Sequence, residues 1–366
     1  MAKLVIKTQN IISNISKISE FLGKHDIYWS LITKVFSGDK EFLKEILIDE
    51  VIENIHSIGD SRLTSLKNIK AVNPGLRTIY IKPPASVYAK EVVEYADVSL
   101  NSSLYTIKLL NKEAQKQNKI HRVIIMIELG ELREGVLREN VLDFYRQIFN
   151  LPHIEVIGIG SNLGCMYGVE PSFDKLMQLV LYKQLIESQF DTKLPYVSGG
   201  SSITLPLVES GVVPKELNHF RIGESAFFGT SPLDNKKFSD LSTDTFDLEA
   251  WLLEMEEKII VPDGNISEAS IGHTSEQEQD VDRNLKANKG IFDFGILDVD
   301  IDNIKPTDEN FEFVGTTSDM TVYKINNVKK PENKDKYKVG KSFIFKPNYM
   351  GVARLLNSKF IDKEFR

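Results

Sequence analysis

Apolar positions in the first two-thirds of the chain follow two alternating spacings. Short runs rich in Val, Ile and aromatic residues predict strands, and apolar residues three and four positions apart predict helices. A strand at residues 3–7 and a helix at 9–22 come first. Strands then alternate with helix-length segments, and the predicted strands are residues 28–39, 53–58, 77–82, 97–101, 122–129, 154–160, 195–199 and 219–228.

Eight such strands between residues 27 and 229 predict an α/β fold with a (β/α)8 TIM barrel. Active sites of these barrels lie at the C-terminal ends of the strands. Because those ends meet at one mouth, we expect polar residues that follow different strands to converge there.

The pattern changes after residue 232. Residues 242–282 carry twelve acidic side chains and one lysine, which predicts a solvated face or linker. From residue 283 onward short strands alternate with turns, and a helix follows at about 349–357. We therefore predict a barrel over residues 8–232 and a C-terminal β domain over 233–366, joined by residues 1–7.

Composition limits the classes of function. The 366 residues carry a net charge of −7, which argues against a general binder of nucleic acid or anionic membranes. The single cysteine, Cys165, excludes an intrachain disulfide and favours a reducing compartment. The start lacks a signal-peptide apolar region, and no apolar run is long enough for a bilayer. These features predict a cytoplasmic protein without nucleic-acid or membrane partners.

Lys34 lies near the end of the apolar run at residues 28–39. Such a lysine reaches solvent, pairs with an acid or serves a function. Burial favours the neutral amine, and a neutral amine can form a Schiff base with a carbonyl. The run alone leaves both a solvated lysine and a functional lysine open.

Three other sequence features do not match a dinucleotide-binding, P-loop or metal site. The glycines from Gly158 to Gly164 have the spacing G-x-G-x-x-x-G and precede a loop, so they do not form a dinucleotide fingerprint. The segment Val339–Ser342 lacks the earlier glycine of a phosphate-binding P-loop, because Asp335 occupies that position. The six histidines are scattered without ligand-like spacing, so we predict no metal site.

Two adjacent strand ends predict a phosphate site. The segment Ser198–Ser202 ends strand seven and opens a helix, and Arg221 to Glu224 end strand eight. Glycines allow close approach of the backbone, and helix N-termini offer N–H groups to an anion. For the first segment a glycine turn with a serine cap is the simpler interpretation. Together with Lys34 and Arg221, the two strand ends favour pyridoxal 5'-phosphate as the ligand.

Several segments resemble the fold-type III pyridoxal-phosphate enzymes of the alanine/ornithine racemase family. Residues 33–36 are similar to the segment of the Schiff-base lysine, and residues 128–135 to the motif E-L-G-D-L-R-E-G. Residues 160–165 are similar to G-T-N-x-x-C, and residues 315–319 to G-A-S-S-D. The resemblance covers most of the chain and is weakest from about residue 233 to 290.

The resemblance implies a role for each matching residue. Lys34 holds the cofactor and acts as an acid/base, and Arg133 contacts the cofactor's phenolic oxygen or the substrate carboxylate. Arg221 faces the pyridine nitrogen, Asn162 lies near the ring, and Ser318 and Asp319 contact substrate. The phosphate ligands are Ser201, Ser202, Gly223, Glu224 and Tyr349. In related racemases the partner's β domain completes the site, which implies a homodimer with shared active sites.

The chain departs from the family at the second acid/base, which must stand opposite Lys34 across the substrate Cα. Alanine racemases carry a tyrosine in a G-Y-A-D-like turn, whereas the aligned residue here is Ile296. Another residue could serve, with the candidates Cys165, Asp319, Tyr323 and His273, or Lys34 could act on both faces. Asp319 is a turn aspartate or a recognition site for a second substrate amino group.

We therefore predict a racemase that interconverts L- and D-amino acids by removing the Cα proton. Its substrate is alanine or a basic amino acid such as ornithine. The alternatives are a pyridoxal-phosphate-binding protein without racemase activity, which Ile296 favours, and another reaction such as decarboxylation on the same fold. An aldolase is disfavoured because no metal-ligand pair is found.

Overall fold

The structure, a computed structural model, describes residues 1–265, 272–274, 284–333 and 335–366. The chain forms two compact units, one of residues 8–243 and one of residues 1–7 with 244–366. β1 (Lys3–Ile6) opens the chain and belongs to the second of these units. No helix within the described ranges combines the length and apolar character needed to cross a membrane.

The unit of residues 8–243 contains a parallel sheet with helices between its strands. Its strands are β2 (Tyr28–Ile32), β3 (Ser57–Asp60), β4 (Thr78–Tyr80), β5 (Val98–Asn101), β6 (His121–Met126), β7 (Ile154–Gly160), β8 (Tyr196–Ser198), β9 (Gly200–Ser201) and β10 (His219–Ile222). Its helices are α1 (Thr8–Gly23), α2 (Lys40–Ile46), α3 (Asp49–Glu53), α4 (Leu63–Val72), α5 (Ala89–Tyr95), α6 (Leu104–Lys116), α7 (Val141–Ile148), α8 (Phe173–Phe190), α9 (Leu205–Glu209) and α10 (Glu224–Phe228).

The sheet closes into the predicted barrel. The strand order is β8-β7-β6-β5-β4-β3-β2-β10-β9, and each pairing is parallel. Only Gly199 separates β8 from β9, so these two segments act as one interrupted strand that closes the ring between β7 and β10. The predicted (β/α)8 architecture is confirmed. The apolar stripe of α1, which consists of Ile11, Ile15, Ile18 and Leu22, is buried as its spacing predicts.

Three predicted strand boundaries are wrong. β2 ends at Ile32, and residues 34–36 form a 3-10 turn instead of continuing the strand. The second barrel strand is Ser57–Asp60, because α3 occupies the residues before it. β10 ends at Ile222, and Gly223 then starts α10. At β2 and β10 apolar residues continue past the strand end into a turn or helix, so composition could not mark the end. At β3 the predicted strand starts too early, in residues that connect α3 to the strand.

The second unit contains an antiparallel sheet and one helix near its end. Besides β1, its strands are β11 (Phe246–Ile259), β12 (His273–Thr274), β13 (Lys286–Phe292), β14 (Ile304–Pro306), β15 (Phe311–Thr316), β16 (Thr321–Ile325), β17 (Ser342–Pro347) and β18 (Asp362–Phe365). The helix α11 (Tyr349–Asn357) follows β17. β1 lies between β11 and β18, antiparallel to the first and parallel to the second. The predicted C-terminal β domain is confirmed as a fold.

The interpretation of residues 242–282 as a solvated face or linker is wrong for residues 246–259. This segment is β11, which pairs with β1, β13 and β17. Its acidic side chains pair with distant lysines: Lys7 contacts Asp247 at 2.7 Å, and Lys3 contacts Glu249 at 3.2 Å. A count of charges within residues 242–282 cannot detect these pairs, because the lysines lie far away in the sequence. Residues 266–271 and 275–283 of the acidic stretch lie outside the described residues.

Candidate active site

Lys34 directly follows the C-terminal end of β2. The Thr33 N–H donates to Gly59 O at 2.9 Å, and Lys34–Phe36 then form one 3-10 turn. Phe36 anchors this turn, since its ring stacks on Phe42 at 3.4 Å between centroids and meets Phe227 edge-on at 4.6 Å. Lys34 itself is exposed, so a role in forming a Schiff base cannot be inferred from burial. The packed turn holds its backbone at the barrel mouth.

Glu224 lies within electrostatic reach of Lys34. This carboxyl is half-buried at the first position of α10, directly after the β10 end. Burial raises the pKa of Glu224, and the Lys34 ammonium opposes that rise. The first and last barrel strands are neighbours, so their two polar ends are brought together, as the sequence predicts.

The two strand ends predicted to bind phosphate are joined by hydrogen bonds. β9 pairs with β10, so Ser201 lies beside Arg221. The hydroxyl of Ser202 accepts a hydrogen bond from the Ser225 N–H at 3.2 Å, which ties the end of β9 to α10. Gly223 must be glycine, because a Cβ there would lie 2.8 Å from Ile32 O.

Arg221 is a buried cation that two backbone carbonyl groups hold in place. Its side chain is 8% exposed. Nη1 donates to Ser198 O at 2.6 Å, and Nη2 donates to Ser161 O at 2.7 Å. No ion pair to a carboxylate is found for it in the part of the chain that the structure describes. Burial lowers the pKa of Arg221 to about 10, so it stays charged at neutral pH. The remaining N–H groups are available to a ligand.

Arg133 lies in a tight loop after β6. The Glu128 carboxylate accepts the N–H of Arg133 at 3.1 Å and also that of Gly130. The Arg133 guanidinium pairs with Glu134, and its Nη1 donates to Cys165 Sγ at 2.8 Å. The structure therefore brings Arg133 to the loop that carries Asn162. Sequence reasoning did not identify the partner Glu134.

Glu131 fixes that second loop, although sequence reasoning assigned it no role. The side chain is 2% exposed. Its Oε1 accepts the N–H groups of Cys165 at 3.0 Å and Tyr167 at 2.8 Å. Its Oε2 accepts those of Gly164 at 3.1 Å and Val169 at 3.2 Å. No local sequence signal predicts this anchor, because its partners lie more than thirty residues away.

Three buried polar atoms at two strand ends have no hydrogen-bond partner among the described residues. They are Asn162 Nδ2 and Ser161 Oγ after β7, and Asn101 Oδ1 at the end of β5. Leaving a buried polar group unpaired is unfavourable. These atoms are therefore suited to a polar ligand at the barrel mouth. Asn101 was not predicted, although its position at a strand end could have indicated it.

The remaining predicted residues belong to the second unit. Ser318 and Asp319 form the turn between β15 and β16, where the Ser318 hydroxyl donates to Asp319 Oδ1 at 3.0 Å. The turn containing Ile296 packs on this one, because the Ile296 N–H donates to Thr317 O at 2.9 Å. Tyr349 is the first residue of α11 and is half-buried.

The structure separates the four candidates for the second acid/base. Tyr323 is 1% exposed within an aromatic core, and burial raises its pKa, so it is wrong as a proton carrier. His273 lies on the exposed strand β12. Asp319 is exposed in its turn, and Cys165 is exposed beside Arg133. Cys165, Asp319 and His273 are all exposed, so these three remain candidates.

Comparison with known sequences gives full-length similarities. The family model described as "Alanine racemase, N-terminal domain" matches residues 46–232. The chain is 31% identical over 363 residues to ornithine racemase from Acetoanaerobium sticklandii, covering 99% of each chain. It is 27% identical over 363 residues to lysine racemase from Thermotoga maritima, covering 99% of this chain and 98% of that one.

Solved structures share the fold along the whole chain. Alanine racemase from Bacillus anthracis with bound L-Ala-P has a TM-score of 0.74 at 13% identity, covering 100% of this chain and 95% of that one. Alanine racemase from Bartonella henselae with covalently bound pyridoxal phosphate has a TM-score of 0.73 at 14% identity, covering 100% and 99%. Both contain the barrel and the antiparallel domain in one architecture.

Proposed function

Because this chain belongs to the alanine racemase family, we propose that it racemises a basic amino acid, with ornithine or lysine as substrate. The chain is an amino-acid racemase that uses pyridoxal phosphate. The observation that carries the substrate proposal is the similarity to racemases of ornithine and lysine along 99% of the chain. A substrate with a second amino group needs an acidic partner, and Asp319 is our candidate for that contact.

The residues at the barrel mouth fit the cofactor. Ser161 and Asn162 each have a buried polar atom without a partner among the described residues, which gives hydrogen-bonding capacity for a phosphorylated ring. The glycine at position 223 allows the end of β10 to lie close to Ile32 O. In our proposal Lys34 binds the aldehyde carbon and Arg221 faces the ring nitrogen. In this proposal the hydroxyls of Ser201, Ser202 and Tyr349 and the backbone N–H groups of Gly223 and Glu224 hold the phosphate.

Arg221 limits the chemistry at the ring. When bound, pyridoxal phosphate withdraws electrons from the substrate Cα and so acidifies its proton. A guanidinium donates a hydrogen bond to the ring nitrogen but keeps its own protons. Arg221 therefore restrains electron withdrawal, which favours a brief Cα deprotonation over side reactions. This property suits racemisation.

Racemisation requires a group that removes or returns a proton on each face of the substrate Cα. Lys34 moves the proton on one side, and Arg133 orients the substrate carboxylate or the phenolic oxygen. For the other side we propose Cys165, Asp319 or His273. Each candidate is replaced with Ala, and racemisation and Cα deuteration in D2O are measured from the L- and from the D-enantiomer. The second base is the residue whose loss slows deuteration of one enantiomer more than that of the other.

We also propose a cytoplasmic homodimer in which the second unit of the partner completes each site. Mixing Lys34→Ala and Asp319→Ala subunits tests shared sites. Activity restored on mixing supports them, because one site in the mixed dimer then carries both native residues. Activity that stays absent, with mixed dimers verified by mass, contradicts shared sites.

The proposed function is tested with a panel of L-amino acids in D2O. We expect Cα deuteration and the D-enantiomer with ornithine or lysine, and borohydride reduction should attach the cofactor to Lys34. Preference for alanine over both basic amino acids would contradict the substrate proposal. Bound cofactor without Cα exchange for any amino acid would instead support the alternative favoured by Ile296, a pyridoxal-phosphate-binding protein without racemase activity.

A further inference from the structure

A chain of buried polar side chains runs from Arg221 into the barrel interior. Arg221 Nη1 lies 2.5 Å from Ser198 Oγ, and Ser198 Oγ lies 2.7 Å from His219 Nδ1. His219 Nε2 lies 3.0 Å from Ser30 Oγ, which lies 2.6 Å from Ser57 Oγ. The side chains of Ser198 and Ser30 are 0% exposed, His219 is 1% and Ser57 is 4%.

The donor at one end determines the direction of every hydrogen bond in this chain. Arg221 can only donate, so Ser198 Oγ accepts from it. The Ser198 oxygen could accept a second hydrogen bond, but its hydroxyl proton has no acceptor among the described hydrogen bonds other than His219 Nδ1, so that nitrogen accepts it. His219 therefore carries its proton on Nε2 and donates it to Ser30. The Ser30 hydroxyl donates in turn to Ser57.

The surroundings of His219 keep the imidazole neutral. The rings of His56 and Tyr196 pack on it, with centroids 5.4 Å and 5.6 Å away. Burial lowers the pKa of His219, and the nearby His56 and Arg221 lower it further. A charged imidazolium would donate to Ser198 Oγ as Arg221 does, and the Ser198 proton would then have no acceptor among the described hydrogen bonds. The neutral ring provides that acceptor.

We propose that Ser198 and His219 are positioning residues that hold the Arg221 guanidinium in the orientation in which it would face the cofactor's ring nitrogen. This rests on the proposed function for the contact between Arg221 and the ring nitrogen. The Ser198 carbonyl and hydroxyl hold Nη1, and His219 holds that hydroxyl by accepting its proton. Without the hydroxyl two backbone carbonyls still hold the guanidinium, but Nη1 loses one of its two acceptors, so the orientation is less restricted and the hydrogen bond to the ring weakens.

The tautomer of His219 is measured by nitrogen NMR on protein labelled with 15N-histidine. His219→Asn identifies its signals among those of the six histidines. We expect a neutral ring protonated on Nε2, both with and without cofactor. A ring protonated on Nδ1, or an imidazolium at neutral pH, would overturn the proposal. This measurement requires no cofactor, so it stays informative if the proposed function fails.

Three variants test the effect on the cofactor. Ser198→Ala removes the hydroxyl, and His219→Gln removes the acceptor at the Nδ1 position. Each should raise the dissociation constant for pyridoxal phosphate about tenfold, the effect of weakening one charge-assisted hydrogen bond. His219→Asn places its amide oxygen near the Nδ1 position, so it should restore affinity to within about twofold of the native protein.

His121→Asn is the matched control. His121 is also buried in the barrel, at 3% exposure, and bonds to a strand serine, Ser99, at 2.7 Å. It has no link to Arg221 among the described hydrogen bonds, so its variant should bind cofactor normally at a comparable cost in Tm. Equal losses of affinity in His121→Asn and His219→Gln, or native affinity in Ser198→Ala, would overturn the proposal. A native protein that binds no pyridoxal phosphate would overturn the proposed function instead.

Discussion

Replacing Glu131 with Gln tests whether one carboxylate orders the loop of residues 164–169. Each Glu131 oxygen accepts two backbone N–H groups from this loop. In Gln one oxygen becomes an amide NH2, which donates and cannot accept. Two of the four N–H groups therefore lose their acceptor and face another donor.

The magnitude follows from those two groups. A buried N–H left unsatisfied costs about 1–3 kcal/mol, so the ordered loop loses about 2–6 kcal/mol. The loop can avoid this cost by opening, since Met166 is 57% exposed and Tyr167 is 67% exposed. We therefore expect local opening rather than global unfolding. Even 2 kcal/mol increases the open population roughly thirtyfold.

Hydrogen exchange of the peptide covering this loop measures the effect. In Glu131→Gln we expect these amides to exchange at least tenfold faster at neutral pH. Cofactor affinity should fall as well, because Asn162 adjoins the loop and Cys165 belongs to it. Glu139→Gln is the matched control, since Glu139 is exposed nearby in the chain. Unchanged exchange in Glu131→Gln would refute the reasoning.

The ionisation of Glu131 predicts that opening of this loop depends on pH. Burial raises the pKa of Glu131, but the N–H groups of Tyr167, Cys165, Val169 and Gly164 outweigh it, so the pKa lies below the ordinary 4.5. A lowered pKa in the folded state means that the stabilisation is complete above pH 4.5 and is lost as pH falls through the lowered pKa. Exchange in the native loop should therefore accelerate in acid, after correction for intrinsic rates, whereas Glu131→Gln should show no such transition.

Three further predictions concern single side chains. Tyr323→Phe should stabilise the fold by about 1 kcal/mol in urea unfolding, since it removes a buried hydroxyl without a partner among the described residues; a loss of stability would contradict this. Lys34→Arg should abolish borohydride attachment of the cofactor while circular dichroism stays native, and labelling elsewhere would reject Lys34. Asp319→Asn should raise KM for ornithine or lysine about tenfold and leave KM for alanine unchanged; equal changes would reject charge recognition.

The sequence alone determined the architecture and the positions of most candidate residues. Strand and helix periodicities are local, so they predict the alternation of the barrel without knowledge of contacts. The parallel order then implies that Lys34, Asn162 and Arg221 meet at one mouth, because they follow strands that end on the same side. The structure confirms this placement, while the roles of these residues stay predictions.

The contacts that hold those residues depend on the tertiary structure. The boundaries of β2 and β10, the acidic strand β11 and the four hydrogen bonds of Glu131 depend on partners distant in the sequence. His219 and Arg221 share a strand face by their spacing, but Ser198 joins them from another strand. A local sequence pattern indicates which face of a strand a side chain occupies. The donor or acceptor that the side chain contacts there depends on how separate strands pack, so the pattern does not indicate it.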